Sequence, residues 1–232
     1  MKLYLIRHGE MAGDAHRQYD ASKHLSDCLS PLGCAEADQM ADALSAVPFD
    51  RIFSSPLGRA IQTAQPLASC TNNEIEVLPW AMEWRPAPEL IAGDNAKYEE
   101  MMQRVSKKYP EETWKTELGE GALEMAHRVI TGFVSWMSDI GVHARHGGYV
   151  MDDPDDSRNI ALVAHGGSLG RLASFLLGIP TYPLCPISMA HTGVAVFEFT
   201  RHIDVWHPYL KLSAPYSHET LQVTQTTTND VS

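Results

Sequence analysis

Arg7-His8-Gly9-Glu10, Ser54-Ser55-Pro56 with Arg59, and Ala164-His165-Gly166-Gly167 are three places where side chains capable of chemistry directly follow a short apolar run. Arginine offers a planar fork of N–H donors that matches the oxygens of a phosphate, and a histidine near neutral pH is a largely unprotonated imidazole able to attack an electrophile. Two arginines and two histidines at strand ends of one sheet are what an oxyanion with several acceptors needs. Arg59 stands four residues after Ser55, so one helical turn returns it towards the strand end. Gly9 lets the backbone turn and approach a ligand closely, and the amides at the two helix starts add partial positive charge. Each motif alone is equally a strand, a turn and a capped helix. Together, that plainer reading requires four coincidences.

The elements that must position these groups follow from periodicity and punctuation. Leu3–Ile6, Arg51–Ser54, Glu74–Leu78 and Ile160–Ala164 read as strands, with Gly193–Phe199 and His202–Leu210 as a closing pair. Ser30-Pro31 opens a helix as N-cap and N1, with Ala37, Met40, Ala41 and Leu44 at helical spacing. Further helices are expected over Pro56–Ala68, Asn95–Tyr109, Ala122–Ile140 and Ser168–Leu177. Met11–Leu29 and Pro79–Gly93 read as long substrate-facing excursions, and Gly141–Ser157, with its Asp152–Asp156 acidic stretch, as a mobile solvated loop. This alternation predicts a three-layer α/β/α sandwich with a mostly parallel central sheet. Ligands of such sheets bind at the carboxyl ends of the strands, where the Arg and His residues fall.

Composition narrows the partners. The 232 residues suffice for one sizeable domain, and the Thr-rich stretch 222–232 is expected to be a disordered tail. A formal charge of -11 argues against nucleic acid or an anionic membrane surface as partner, and makes a local cluster of cations more telling. No apolar run approaches the roughly 18 residues of a membrane span, and the start lacks a signal-peptide pattern. Cys28, Cys34, Cys70 and Cys185 show no C-x-x-C spacing, which reads as reduced thiols in a cytoplasmic protein, with neither a zinc site nor a redox pair.

In this order the motifs resemble the histidine phosphatase superfamily, which includes the cofactor-dependent phosphoglycerate mutases. The likeness spans roughly residues 1–212 and rests on Leu5-Ile6-Arg7-His8-Gly9-Glu10, on Ser54-Ser55-Pro56 with Arg59 and Thr63-Ala64, and on Val163-Ala164-His165-Gly166-Gly167. Leu29-Ser30-Pro31-Leu32-Gly33 with Glu36-Ala37 is similar to the family's first helix start. The resemblance implies a single phosphatase domain over 1–221 that hydrolyses a phosphorylated small molecule in two steps. His8 would be the nucleophile that forms a phosphohistidine. Arg7, Arg59 and His165, with Gly166, would hold the phosphoryl oxygens in place of any metal or cofactor. Glu83 would protonate the leaving alcohol and then activate water, with Glu89 as the alternative carboxyl and Glu10 shaping the rim.

The chain also departs from that family. Met11-Ala12-Gly13-Asp14 replaces a Ser/Thr and an Asn that help hold phosphate, and Glu83-Trp84-Arg85-Pro86 does not match the mutases' Glu-Arg-His-Tyr-Gly; both favour hydrolysis over mutase-type transfer. His191-Thr192-Gly193 stands where relatives carry Asn-x-Ser/Thr, so His191 is open to a role in the pocket or in the structure alone. A competing serine esterase reading rests on Gly166-Gly167-Ser168-Leu169-Gly170, with Asp204 and His207 or His218 following in order. A third alternative is a phosphate-binding relative without catalysis.

Overall fold

The computed structural model describes residues 1–12, 28–87, 99–100, 103–114 and 116–211. Its centre is an eight-stranded sheet formed by β1 (Lys2–Arg7), β2 (Arg51–Ser54), β3 (Ile75–Val77), β4 (Val142–Arg145), β5 (Gly148–Met151), β6 (Asn159–Ala164), β7 (Val194–His202) and β8 (Val205–Lys211). The strand order is β3-β2-β6-β1-β7-β8-β5-β4. The first four run parallel to one another, and every pairing from β1–β7 outwards is antiparallel. The sheet is therefore mixed. Its parallel half is the part that the apolar runs marked, because strands covered on both faces read as continuous hydrophobic segments.

Helices α1 (Pro31–Leu44) and α2 (Gly58–Thr71) cover one face, and α3 (Ala122–Asp139) and α4 (Gly166–Leu176) the other. Alternation along β1 shows how one strand serves both layers: Tyr4 and Ile6 join a cluster with Met40, Ala60 and Leu67, whereas Leu3 and Leu5 join Phe133, Leu169 and Leu172. Ser30 caps α1 as expected, its hydroxyl accepting from the Gly33 amide at 3.0 Å, with Pro31 in the first turn.

The stretch expected to be a mobile loop, Gly141–Ser157, instead carries the β4–β5 hairpin. Its turn residues His146 and Gly147 both take positive φ, 51° and 76°, as a tight two-residue hairpin turn requires. The adjacent Asp-rich stretch masked that signal. Arg201-His202-Ile203-Asp204 also differs in detail: His202 ends β7, and Ile203, at φ 59°, makes the turn. Helical residues at 99–100 and 103–105 fall inside the Asn95–Tyr109 expectation. Glu89, most of the Met11–Leu29 excursion and the tail from 222 lie outside the described residues.

Two glycines set the junction between sheet and helix. A Cβ on Gly9 would stand 2.6 Å from the Gly33 carbonyl oxygen, and one on Gly33 would stand 2.0 Å from that of Glu10. The end of β1 and the first turn of α1 meet backbone to backbone.

Candidate active site

His8 continues β1 by one residue, its amide donating to the Ala164 carbonyl of β6 at 2.9 Å. Its side chain is buried, and two contacts fix its tautomer. Nδ1 lies 2.6 Å from the Gly9 carbonyl, which can only accept, and Nε2 receives the Arg59 Nε–H at 3.1 Å. The ring is therefore neutral, with its proton on Nδ1 and a lone pair on Nε2. Burial, together with the positive charges of Arg59 and Arg7, lowers its pKa from 6.5 to about 3, against the opposing pull of the Gly9 hydrogen bond.

Arg59 reaches His8 because α2 begins one residue earlier, at the carboxyl end of β2. Only 3 % of Arg59 is exposed. Thr63, one turn on, bonds its hydroxyl to the Arg59 carbonyl at 2.7 Å and accepts the Gly9 amide at 3.0 Å, which joins helix and strand end. Arg7 donates through one terminal nitrogen to the Met189 carbonyl at 2.6 Å and through the other to His191 Nε2 at 3.0 Å. Its buried Nε–H has no hydrogen bond among the described residues. Gly166 sits against that nitrogen: a Cβ there would come within 3.4 Å of it.

His165 caps α4 and is fully buried, with Nε2 2.7 Å from the Ser55 hydroxyl and its ring 5.1 Å from that of His8. The His191 ring lies 5.6 Å from His8, so this residue belongs to the cluster. Arg7, His8, Arg59 and His165 are thus brought together, as the sequence predicts, around the carboxyl ends of β1, β2 and β6. Ser55, Thr63 and the Met189–His191 segment complete it. Ser55 and Thr63 stand inside recognisable motifs, but only the fold shows what they touch.

Glu83 approaches from outside the sheet. Its carboxylate accepts from its neighbour's amide, Trp84 N–H, and from Gly167 N–H at the start of α4, each at 2.9 Å. Gly167 leaves room for this carboxylate, since a Cβ would stand 2.3 Å from a Glu83 oxygen and the side chain would have to shift. The segment carrying Glu83 is tied down by Arg128 of α3. The Arg128 guanidinium donates to the carbonyls of Trp80, Met82 and Glu83 and grips both carboxylate oxygens of Glu120 at 2.6 Å. The Trp84 indole N–H donates to the Glu120 carbonyl at 2.6 Å. Nothing local in the sequence marks Arg128 or Glu120, because they act from another element.

Other candidates take different places. The Glu10 carboxylate accepts the Ser30 hydroxyl at 2.7 Å and its amide donates to Glu36, so it braces the β1–α1 junction. Ser168 is 1 % exposed, and its hydroxyl is engaged with the backbone of His165 one turn back. Asp204 lies in the β7–β8 turn, paired with Arg201 at 3.7 Å, and His207 is on β8 opposite Thr200; His218 is outside the described residues. Ser168 is thus a buried helix-start hydroxyl where an esterase needs a presented nucleophile. Among the described residues no group of three or more His, Cys, Asp or Glu is placed to hold a metal ion, and no helix is long and apolar enough to cross a membrane.

A cluster of this composition at these strand ends has known counterparts. The family model for the histidine phosphatase superfamily (branch 1) matches residues 3–207, and the chain belongs to that superfamily as an enzyme of the phosphatase type. It is 27% identical over 193 residues to a probable phosphoglycerate mutase of Proteus mirabilis, covering 78% of this chain and 77% of the relative. It is 27% identical over 187 residues to the adenosylcobalamin/alpha-ribazole phosphatase of Escherichia coli, covering 78% and 81%. The fold is shared with a putative alpha-ribazole-5'-P phosphatase from Escherichia coli, at TM-score 0.70 and 23% identity, covering 92% of this chain and 97% of that one. It is also shared with a mycobacterial glucosyl-3-phosphoglycerate phosphatase, at TM-score 0.69 and 23% identity over 91% and 97%.

Proposed function

We propose that the protein hydrolyses the phosphomonoester of a small phosphorylated metabolite through a phosphohistidine on His8, within one domain spanning residues 1–221. The observation that carries this reading is the tautomer of His8: Nδ1 is tied to Gly9, and Nε2 keeps its lone pair inside a cluster of Arg7, Arg59 and His165. A buried imidazole with a pKa of about 3 stays unprotonated at any ordinary pH, as a nucleophile must.

In the first step His8 Nε2 attacks phosphorus, the N–P bond forms and the ester P–O bond breaks. Arg59 exchanges its hydrogen bond to Nε2 for one to a phosphoryl oxygen. Arg7, His165 and the α4 amide of Gly166 take the remaining charge, which grows in the transition state. Glu83 gives its proton to the departing alkoxide. In the second step the same carboxylate takes a proton from water, the water oxygen bonds to phosphorus, and the P–N bond breaks to release phosphate and free His8. The arginines supply the positive charge, so the scheme uses neither metal nor cofactor. Two relatives named as phosphatases support hydrolysis, as does the mismatch after Glu83 with the mutases.

The test is a panel of phosphorylated metabolites with an alkaline quench and mass spectrometry of the His8 peptide. Wild type should release phosphate, carry a transient phosphoryl group on His8 and be inhibited by vanadate. The His8→Ala variant should lose about 10⁴-fold or more in turnover. Equal phosphate release by the two proteins overturns the mechanism, and transfer of the phosphoryl group within a substrate, without release, marks a mutase.

A further inference from the structure

Beyond Glu83, on the side away from the sheet, a pocket of about 420 Å³ opens between the 83–84 segment, the start of α3 and α4. That is a volume typical of small-molecule sites. Glu83 and Gly167 form its inner wall, so the pocket shares a boundary with the phosphate cluster. Its other walls are chiefly Trp84, Val105, Leu118 and Met125. From this geometry we infer that the pocket receives the alcohol part of the substrate, and that this part is an apolar group carrying a ring. The inference rests on the reading of Glu83 as the proton donor, because a donor must lie within hydrogen-bond reach of the leaving oxygen and therefore beside the alcohol part.

Three observations select that chemistry. The walls are built before any ligand arrives: the Trp84 indole is pinned to the Glu120 carbonyl at 2.6 Å, and Leu118 and Met125 are buried. A fixed aromatic plane beside branched and thioether side chains suits a flat apolar partner, with Thr113 and Thr116 the uncharged polar side chains of the lining. Of the other charged groups in the lining, Glu120 is paired with Arg128 at 2.6 Å, and Arg171 directs its Nε–H to the Ala122 carbonyl at 3.4 Å. A small acidic alcohol such as glycerate would leave most of the volume unfilled. The site thus separates its tasks, with cations for the phosphoryl group on one side of Glu83 and apolar walls for the alcohol on the other. Binding energy from the ring then lowers the barrier through kcat/KM.

The test uses phosphates of primary alcohols, so that leaving-group chemistry is matched: ethyl phosphate, 3-phosphoglycerate and 2-(2-naphthyl)ethyl phosphate. The naphthyl ester should exceed ethyl phosphate in kcat/KM by about 30-fold or more, with 3-phosphoglycerate near ethyl phosphate. Val105→Trp, on the half-buried outer wall, should cut that ratio at least tenfold. If this variant folds poorly, calorimetry of wild type with the two matching phosphonates supplies the same ratio as affinities. A ratio near one, or a preference for 3-phosphoglycerate that Arg171→Ala removes, overturns the pocket assignment while leaving the phosphatase reading intact. Failure to hydrolyse any of the three esters, with phosphonate affinities still differing, would count against the phosphatase reading and leave the pocket standing.

Discussion

On the sheet side of the site, chemistry is held by backbone. His8 is one residue past a six-residue strand, Arg59 lies in the first turn of a helix, and His165 caps another. On the far side, Glu83 sits on a segment outside the sheet whose position depends on side-chain cross-links, above all Arg128 with Glu120. The two scaffolds differ in how they respond to change. A residue fixed by a strand end keeps its place when neighbouring side chains are trimmed, so its loss is a pure loss of chemistry. A residue fixed through a guanidinium loses its place when a distant partner goes.

Arg59→Ala should give the largest effect of the set that follows, about 10³-fold in kcat/KM measured by steady-state kinetics, with little change in melting temperature beyond that of a buried truncation. A loss under tenfold would mean that the backbone-held side is not where the transition-state charge is met. Glu83→Gln should lower kcat about 10²-fold for alkyl phosphates but much less for p-nitrophenyl phosphate, whose leaving group needs no proton. Equal losses on both substrates would reassign Glu83 to holding the α4 start. Arg128→Met should move kcat only about tenfold, yet destabilise the fold by about 3–5 kcal/mol in urea unfolding, since it strands the buried Glu120 carboxylate. Adding Glu120→Gln should restore part of the stability and none of the rate; recovery of the rate would show that Glu83 is placed by something else.

The last effect concerns pH and is read in stability, not in rate. Folded His8 resists protonation down to about 3, whereas in the unfolded chain it takes up a proton near 6.5. Below about 6.5 the unfolded state binds the extra proton, so stability falls as pH drops from there towards 3. His8→Asn removes this term, and its urea midpoint should decline less steeply over that window. Parallel declines in both proteins would place the acid sensitivity elsewhere, for instance at Asp156, where burial raises the carboxyl's pKa but the hydrogen bonds and charge of Arg158 outweigh it and hold it below the usual range.

Legibility in the sequence follows the same division. Strand ends, N-caps and glycine turns are local patterns, so Arg7, His8, Arg59 and His165 could be read in order and assigned to one sheet edge. Ser30 and Pro31 gave the start of α1 for the same reason. The antiparallel half was less legible: β4 and β5 have four residues each, and alternation over so short a stretch is easily lost beside a run of aspartates. Arg128 was invisible because its meaning lies in three carbonyls more than forty residues away. Glu10 looked chemical by its neighbours, and only its hydrogen bond to Ser30 shows it to be a brace.

The contact between Gly9 and Gly33 leaves no tolerance at either position. A carbon added at Gly9 meets the Gly33 carbonyl and one added at Gly33 meets the Glu10 carbonyl, and a peptide cannot rotate aside as a side chain can. No second substitution on the facing segment can make room, because the atoms met are backbone atoms that every residue carries. Random mutagenesis should therefore recover neither position singly nor as a compensated pair, and any shift of α1 would be transmitted to the His8 imidazole without slack.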